Sequence, residues 1–128
     1  MTKSKIIENI ITEGEARQLL NLNAKGHNHN WSHPTIAKVL DTVSETTALQ
    51  INTSVPSYWK IEEKKEGHKW HYDTGDTQHM EWCGLSCTIL LSKPDSFKGG
   101  NVHFRSKGDQ YITTYVPSKH YLSGILYR

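Results

Sequence analysis

The sequence predicts an α+β protein in which N-terminal helices pack outside a β-sandwich or barrel. The main observation is a change in the spacing of apolar residues. Up to about residue 47 they recur as on one face of a helix, and from about residue 50 they alternate with a period of two. Helices followed by a run of short strands are typical of this fold class. The length of 128 residues suits one domain, so residues 1–128 are assigned to a single unit.

Two helices are predicted in the N-terminal third of the chain. The first covers about residues 13–22, because Thr12 and Glu15 have the spacing of a capping box. The second begins at Pro34, since proline is favoured in the first turn of a helix, and extends to about residue 47. Its apolar positions recur at i, i+3, i+4 and i+7 and are Ile36, Val39, Leu40 and Val43.

Short strands are predicted for the rest of the chain. Trp59 and Ile61 alternate with polar neighbours, and the clearest alternation runs over residues 83–92. Clusters of turn-forming residues separate the later segments. These later strands are predicted over residues 102–105, 111–116 and 121–127.

Composition and charge narrow the class of protein. The net charge of +2 is too small to indicate nucleic-acid binding through charge alone, and the sequence contains no apolar run near the roughly 18 residues of a membrane span. The two cysteines, Cys83 and Cys87, would lie about 13 Å apart on one strand, which is too far for a disulfide. We therefore expect a soluble, cytoplasmic protein that does not interact with membranes.

The eight histidines make metal chemistry the first function to consider. His71 and Asp73 are two residues apart, so on a strand both side chains project to the same face. A second histidine from a later strand would complete a set of two imidazoles and one carboxylate. Such a set leaves three positions of an octahedral ion open and suits non-haem Fe(II) oxygen chemistry.

A second group of histidines, His27, His29 and His33, has a spacing that zinc could use. Structural zinc usually takes four ligands and often includes cysteine, and neither cysteine is near this group in sequence. The surrounding glycine and asparagine residues are explained more simply by a polar loop.

Two longer stretches carry a family resemblance. Residues 64–73 read Lys-Lys-Glu-Gly-His-Lys-Trp-His-Tyr-Asp, and residues 85–104 combine an apolar strand, a turn and the pair Gly99-Gly100 before another strand. In this order and near this spacing they resemble the 2-oxoglutarate/Fe(II)-dependent dioxygenases of the prolyl 4-hydroxylase-like branch. The resemblance covers about residues 50–128 and implies a double-stranded β-helix, which is a jelly-roll or cupin-like barrel, with the N-terminal helices outside.

The resemblance also implies roles for individual residues. His71, Asp73 and His120 correspond to the iron ligands and catalytic centre, with His103 as the rival for the distal position. Arg128 is the candidate cation for the far carboxylate of 2-oxoglutarate, and Tyr58 is a second candidate for that pocket. The family usually has Gly-x-Arg after the distal histidine, whereas here Ile125 and Leu126 follow Gly124. If residues 120–128 form one strand, His120 and Arg128 face the same way.

The function implied is hydroxylation of a C–H bond with Fe(II), 2-oxoglutarate and O₂, and ascorbate is a candidate accessory reductant. The substrate would be a small molecule or a peptide, with peptidyl proline as the analogy from the family. One alternative is a non-catalytic, cupin-like metal-binding barrel, which the displaced basic residue favours. The other is an oxygenase acting on nucleic acid, with bases stacked on residues such as Trp59, Trp70 and Trp82, although the small net charge counts against it.

Overall fold

The computed structural model describes residues 4–64, 67, 83–105 and 111–127. Its helices are α1 (Glu13–Leu20), α2 (Pro34–Thr47) and α3 (Pro117–His120), and Pro94–Ser96 forms a 3₁₀ turn. Its strands are β1 (Lys5–Ile7), β2 (Ser86–Ile89), β3 (Val102–Phe104), β4 (Thr113–Tyr115) and β5 (Gly124–Tyr127).

The strands form two small antiparallel sheets. In the first, β5 lies in the middle and pairs with β1 on one side and with β2 on the other. The second is the β3–β4 pair, in which His103 lies opposite Thr114. The ring of Phe104 on β3 lies 4.8 Å from the ring of Tyr127 on β5, so an aromatic contact joins the two sheets.

The predicted α+β class is confirmed by this arrangement. The described residues do not close a barrel. Since much of the segment between α2 and β2 is outside them, the double-stranded β-helix stays a prediction.

Both predicted helices are present, and their starts agree with the sequence signals. The Glu15 amide donates to the Thr12 hydroxyl over 3.1 Å and the Thr12 amide donates to the Glu15 carboxylate over 2.8 Å, which completes the capping box. At the start of α2, His33 is the capping residue, because its Nδ1 accepts a hydrogen bond from the Thr35 amide. No helix in the described ranges is long and apolar enough to cross a membrane.

The hydrophobic core joins the helices to the middle strand of the first sheet. Ile125 and Leu126 on β5 are each only 1% exposed. Leu126 belongs to a buried cluster that draws on the entry to α1, on α1 itself and on α2, with the members Ile10, Ile11, Ala16, Leu19 and Val43. The predicted packing of the N-terminal helices against the sheet is thus seen in this cluster.

The predicted strands are shorter in the structure, and three of them differ most. Residues 83–92 give only Ser86–Ile89, and the Trp59 segment forms a single bridge with Asn28. The predicted strand 121–127 begins only at Gly124, because Leu122 has a φ of 64° and this left-handed conformation interrupts extended backbone.

The two cysteines are free thiols, as predicted. Cys83 is buried, and its Sγ lies 3.4 Å from the Ser86 hydroxyl. Cys87 is part of β2 and lies opposite Leu126 on β5. Both thiols therefore belong to the region where β2 pairs with β5.

Candidate functional site

The structure describes two of the five predicted site residues. His120 and Tyr58 are among the described residues, and so is His103, the rival for the distal position. His71, Asp73 and Arg128 lie outside the described residues. The geometry of the candidate site is therefore built from His120 and its surroundings.

His120 is the last residue of the short helix α3 and is 3% exposed. The helix starts at Pro117, whose ring fixes a φ suitable for the first helical position. The backbone amide of His120 donates to the Val116 carbonyl over 3.1 Å, and its carbonyl accepts from the Ser123 amide over 3.0 Å. The backbone on both sides of this histidine is thus hydrogen-bonded.

The segment that follows His120 is tied to two other parts of the fold. The Leu122 amide donates to the Leu90 carbonyl over 3.1 Å, just beyond β2. The Leu122 carbonyl accepts from the Ile11 amide over 3.3 Å, and the buried Ser123 hydroxyl accepts from the Asn9 amide over 3.1 Å. These bonds hold the end of α3 between β2 and the entry to α1.

The imidazole of His120 has the chemistry of a neutral ligand. Its Nδ1 is buried and has no hydrogen-bond partner among the described residues. Burial lowers the pKa of His120, and a smaller opposing effect comes from the Val116 backbone. A buried ring nitrogen in a native protein normally has a partner, and metal ligation requires the neutral imidazole. His120 therefore fits the role of a metal ligand.

The Gly99-Gly100 pair lies against the helix that carries His120. Both glycines have a positive φ, of 76° and 86°. A Cβ on Gly100 would lie 2.8 Å from the Phe97 ring and 3.4 Å from Cγ of Pro117, the first residue of α3. Only glycine fits this close approach without displacing a neighbour. Two features of the resemblance that are separated in sequence, the glycine pair and the approach to His120, are thus adjacent in the fold.

His103 has a different environment. It is exposed on β3, and its Nδ1 lies 2.8 Å from the Thr114 hydroxyl on the neighbouring strand. This cross-strand hydrogen bond already satisfies one ring nitrogen. The two candidates for the distal ligand thus differ in burial, since His103 is exposed and His120 is buried.

The prediction that strand alternation relates His120 to Arg128 is wrong. Alternation requires one continuous strand, whereas His120 ends a helix and β5 begins four residues later, at Gly124. The left-handed conformation of Leu122 lies between them. Strand alternation therefore says nothing about whether the two side chains share a face.

Tyr58 lies near the loop that joins α1 to α2. It is half-buried, and its ring stacks on the ring of His27 with centroids 3.7 Å apart and planes at 5°. The adjacent Trp59 forms the backbone bridge with Asn28. Its predicted part in binding 2-oxoglutarate stays a prediction.

The histidine group of the same loop is engaged in local contacts. His27 stacks on Tyr58, the Nδ1 of His29 lies 2.9 Å from the Ser57 carbonyl, and the Nδ1 of His33 accepts from the Thr35 amide. Within the described part of the chain, no three potential metal ligands come together in a cluster.

An open cavity of about 420 Å³ beside this loop was not predicted from the sequence. The loop contains Asn23, Asn28 and Asn30, and of these Asn28 and Asn30 were predicted only as polar loop residues. Their amides line the cavity together with Trp59. The sequence signal for this cavity was the repetition of asparagine in the loop. The approach of Trp59, which lies on a later segment, is visible only in the structure.

Comparison of the chain with protein-family models, with curated proteins and with solved structures finds no match. Neither the fold nor the site can therefore be carried over from a relative.

Proposed function

We propose that the protein is an Fe(II)- and 2-oxoglutarate-dependent dioxygenase that hydroxylates a C–H bond of a small-molecule or peptidyl substrate. The observation that carries the proposal is His120, a buried histidine with one ring nitrogen unpartnered among the described residues. It is supported by the glycine pair, which packs against Pro117 at the start of the same helix.

His71, Asp73 and His120 would hold the iron. Two imidazoles and one carboxylate suit Fe(II) and leave room for a chelating co-substrate and for O₂. When bound, Fe(II) with O₂ supplies the oxidising power, one oxygen atom entering succinate as 2-oxoglutarate loses CO₂ and the other entering the substrate C–H bond.

The chain's own contribution at His120 is positioning and protonation state. Burial disfavours the imidazolium, so near neutral pH no proton has to be displaced before the ring nitrogen can ligate. The hydrogen bonds of Leu122 and Ser123 fix the backbone next to it, which reduces the entropy lost on binding. For the co-substrate, Arg128 would pair with the far carboxylate through its guanidinium, and Tyr58 is a second candidate in the same pocket.

A titration with Fe(II) under anaerobic conditions tests the assignment of His120. Calorimetry should detect a site in the wild type, and His120→Ala should weaken binding at least tenfold because one ligand is lost. His103→Ala is the matched control and should bind iron like the wild type, since its imidazole is exposed and bonded to Thr114. Loss of Fe(II) binding in His103→Ala but not in His120→Ala would instead identify His103 as the distal ligand.

The other two ligands and the reaction are tested separately. His71→Ala and Asp73→Ala should each abolish Fe(II) binding while the circular dichroism spectrum stays unchanged. Unchanged binding in both variants would overturn the proposed site. Succinate release is then measured in air with 2-oxoglutarate, with and without a proline-containing peptide. Iron binding without any 2-oxoglutarate turnover would instead support the non-catalytic metal-binding barrel.

A further inference from the structure

The cavity between the α1–α2 connection and the Trp59 segment is an open depression of the surface. Its volume of about 420 Å³ lies within the range of small-molecule pockets. The polar residues that line it are Asn23, Asn28, Asn30, Ser32, His33 and Trp59.

The walls of the cavity are held together by the fold. Asn28 and Trp59 exchange two backbone hydrogen bonds, of 2.8 Å and 3.0 Å. The indole Nε1 of Trp59 donates to the Asn30 carbonyl over 2.7 Å. These bonds connect two segments that are about thirty residues apart and fix the indole ring, so the cavity is largely preformed.

Internal hydrogen bonds among the described residues also fix the side chains of Asn28 and Asn30, but not that of Asn23. The Oδ1 of Asn30 accepts from both the amide and the hydroxyl of Ser32, over 3.0 Å and 2.7 Å, which leaves its NH₂ group without a partner among the described residues. The NH₂ group of Asn28 donates to the Gly26 carbonyl over 3.2 Å, which leaves its Oδ1 as an acceptor. The amide of Asn23 makes no hydrogen bond to any described residue.

His33 adds one more donor. Its Nδ1 accepts a hydrogen bond from the Thr35 amide over 3.1 Å, so Nδ1 is unprotonated. A neutral imidazole in this state carries its proton on Nε2. The lining residues therefore offer both donors and acceptors, and each of these groups is neutral.

The chemistry of the lining selects a class of ligand. Among the described residues that line the cavity there is no aspartate, glutamate, lysine or arginine, so these residues give a phosphate or a carboxylate no counter-charge. A hydroxyl group both donates and accepts, and therefore matches the mixed amide and imidazole groups. Leu22, Ala24 and the indole of Trp59 supply apolar surface for C–H groups. A pyranose meets both requirements, because it carries several hydroxyls around a ring with an apolar face.

We propose that this cavity binds an uncharged sugar ring. The proposal goes beyond the dioxygenase function and does not depend on it, because no iron ligand takes part. Binding would place the ring against Trp59, with its hydroxyls towards Asn23, Asn30 and His33.

The test uses the full chain without iron or 2-oxoglutarate. Saturation-transfer NMR titrations are carried out with methyl α-glucoside, methyl α-mannoside and methyl β-galactoside, and in parallel with adenosine. At least one glycoside should bind saturably. Asn23→Ala should weaken its binding about fivefold, as expected for the loss of one hydrogen bond. The matched control is Gln50→Ala, which removes an exposed amide outside the cavity and should leave binding unchanged.

A second variant distinguishes a loss of glycoside binding from a loss of folding. His33→Asn retains a side chain that caps helices well but removes the imidazole donor, so α2 should persist while glycoside binding weakens. The proposal is overturned if none of the three glycosides binds, or if Asn23→Ala and His33→Asn bind as tightly as the wild type. Adenosine binding that is sensitive to Asn23→Ala, without glycoside binding, would assign the cavity to a nucleobase instead.

Discussion

Replacement of Leu126 by alanine tests whether β5 is the structural centre of the molecule. Leu126 is 1% exposed and lies between Lys5 on β1 and Cys87 on β2. Its side chain belongs to the buried cluster that includes Ile11 and Leu19. Truncation of this side chain therefore removes core contacts at a residue that is not part of the candidate site.

The expected loss follows from the burial of this side chain. Truncation to alanine removes three carbons, worth about 2.4 kcal/mol at about 0.8 kcal/mol for each buried carbon. The cavity left behind adds to this transfer term, so the loss for a fully buried leucine is about 2.5–5 kcal/mol. A domain is typically stable by about 5–15 kcal/mol, and Leu126→Ala should therefore be severely destabilised.

Leu20→Ala is the matched control. Leu20 is the last residue of α1 and is 48% exposed, so about half of the transfer term, roughly 1.2 kcal/mol, is at stake. The high helix propensity of alanine offsets part of this loss. Urea unfolding monitored by circular dichroism gives the loss of unfolding free energy for both variants. The comparison requires that this free energy falls with urea concentration at the same slope in each protein. Equal losses in the two variants, or a loss below about 1 kcal/mol for Leu126→Ala, would refute the central role of β5.

Three further predictions concern individual positions. Because burial lowers the pKa of His120, the unfolded chain binds its proton at a higher pH than the folded chain does. The metal-free protein should therefore lose stability as the pH falls below the unfolded value of about 6.5, by at most about 1.4 kcal/mol per pH unit for this group. In urea unfolding, the stability of His120→Leu should lack this loss at low pH. If the variant had the same pH dependence as the wild type, the lowered pKa could not be assigned to His120. Gly100→Ala should lower the melting temperature more than Gly26→Ala. Both glycines have a positive φ, but only a Cβ at Gly100 meets a neighbour, the Phe97 ring at 2.8 Å. Equal shifts in the two variants would show that the Phe97 ring moves away without cost. Arg128→Ala should raise the KM for 2-oxoglutarate about tenfold, or about 1.4 kcal/mol, without weakening Fe(II) binding, and normal use of 2-oxoglutarate by the variant would remove Arg128 from the pocket.

The parts of the fold that were predicted correctly depend on signals within a few residues of one another. The capping box at Thr12 and Glu15 and the proline at position 34 mark the starts of α1 and α2, and both helices begin where these signals predict. The strands at 102–104, 113–115 and 124–127 lie inside the predicted ranges. Strand lengths were overestimated, since alternation continues in sequence beyond the residues that find a pairing partner.

The candidate site was predictable only in part. His120 can be selected from the eight histidines through the resemblance, but its burial and its place at the end of a helix are not visible in the sequence. The alternation that should relate it to Arg128 fails at Leu122, a residue type that rarely takes a positive φ. The backbone of Leu122 donates a hydrogen bond to Leu90 and accepts one from Ile11, and both partners are distant in the chain.

Local chemistry was sufficient for the α+β class and for the starts of the helices, because capping, proline geometry and apolar periodicity act over one or two helical turns. The position of β5 between β1 and β2, the approach of Gly100 to Pro117 and the cavity beside Trp59 depend on contacts between distant segments. Such contacts form when burial of apolar surface outweighs the entropy of closing long loops. That balance belongs to the packed chain as a whole, and no short stretch of residues contains it.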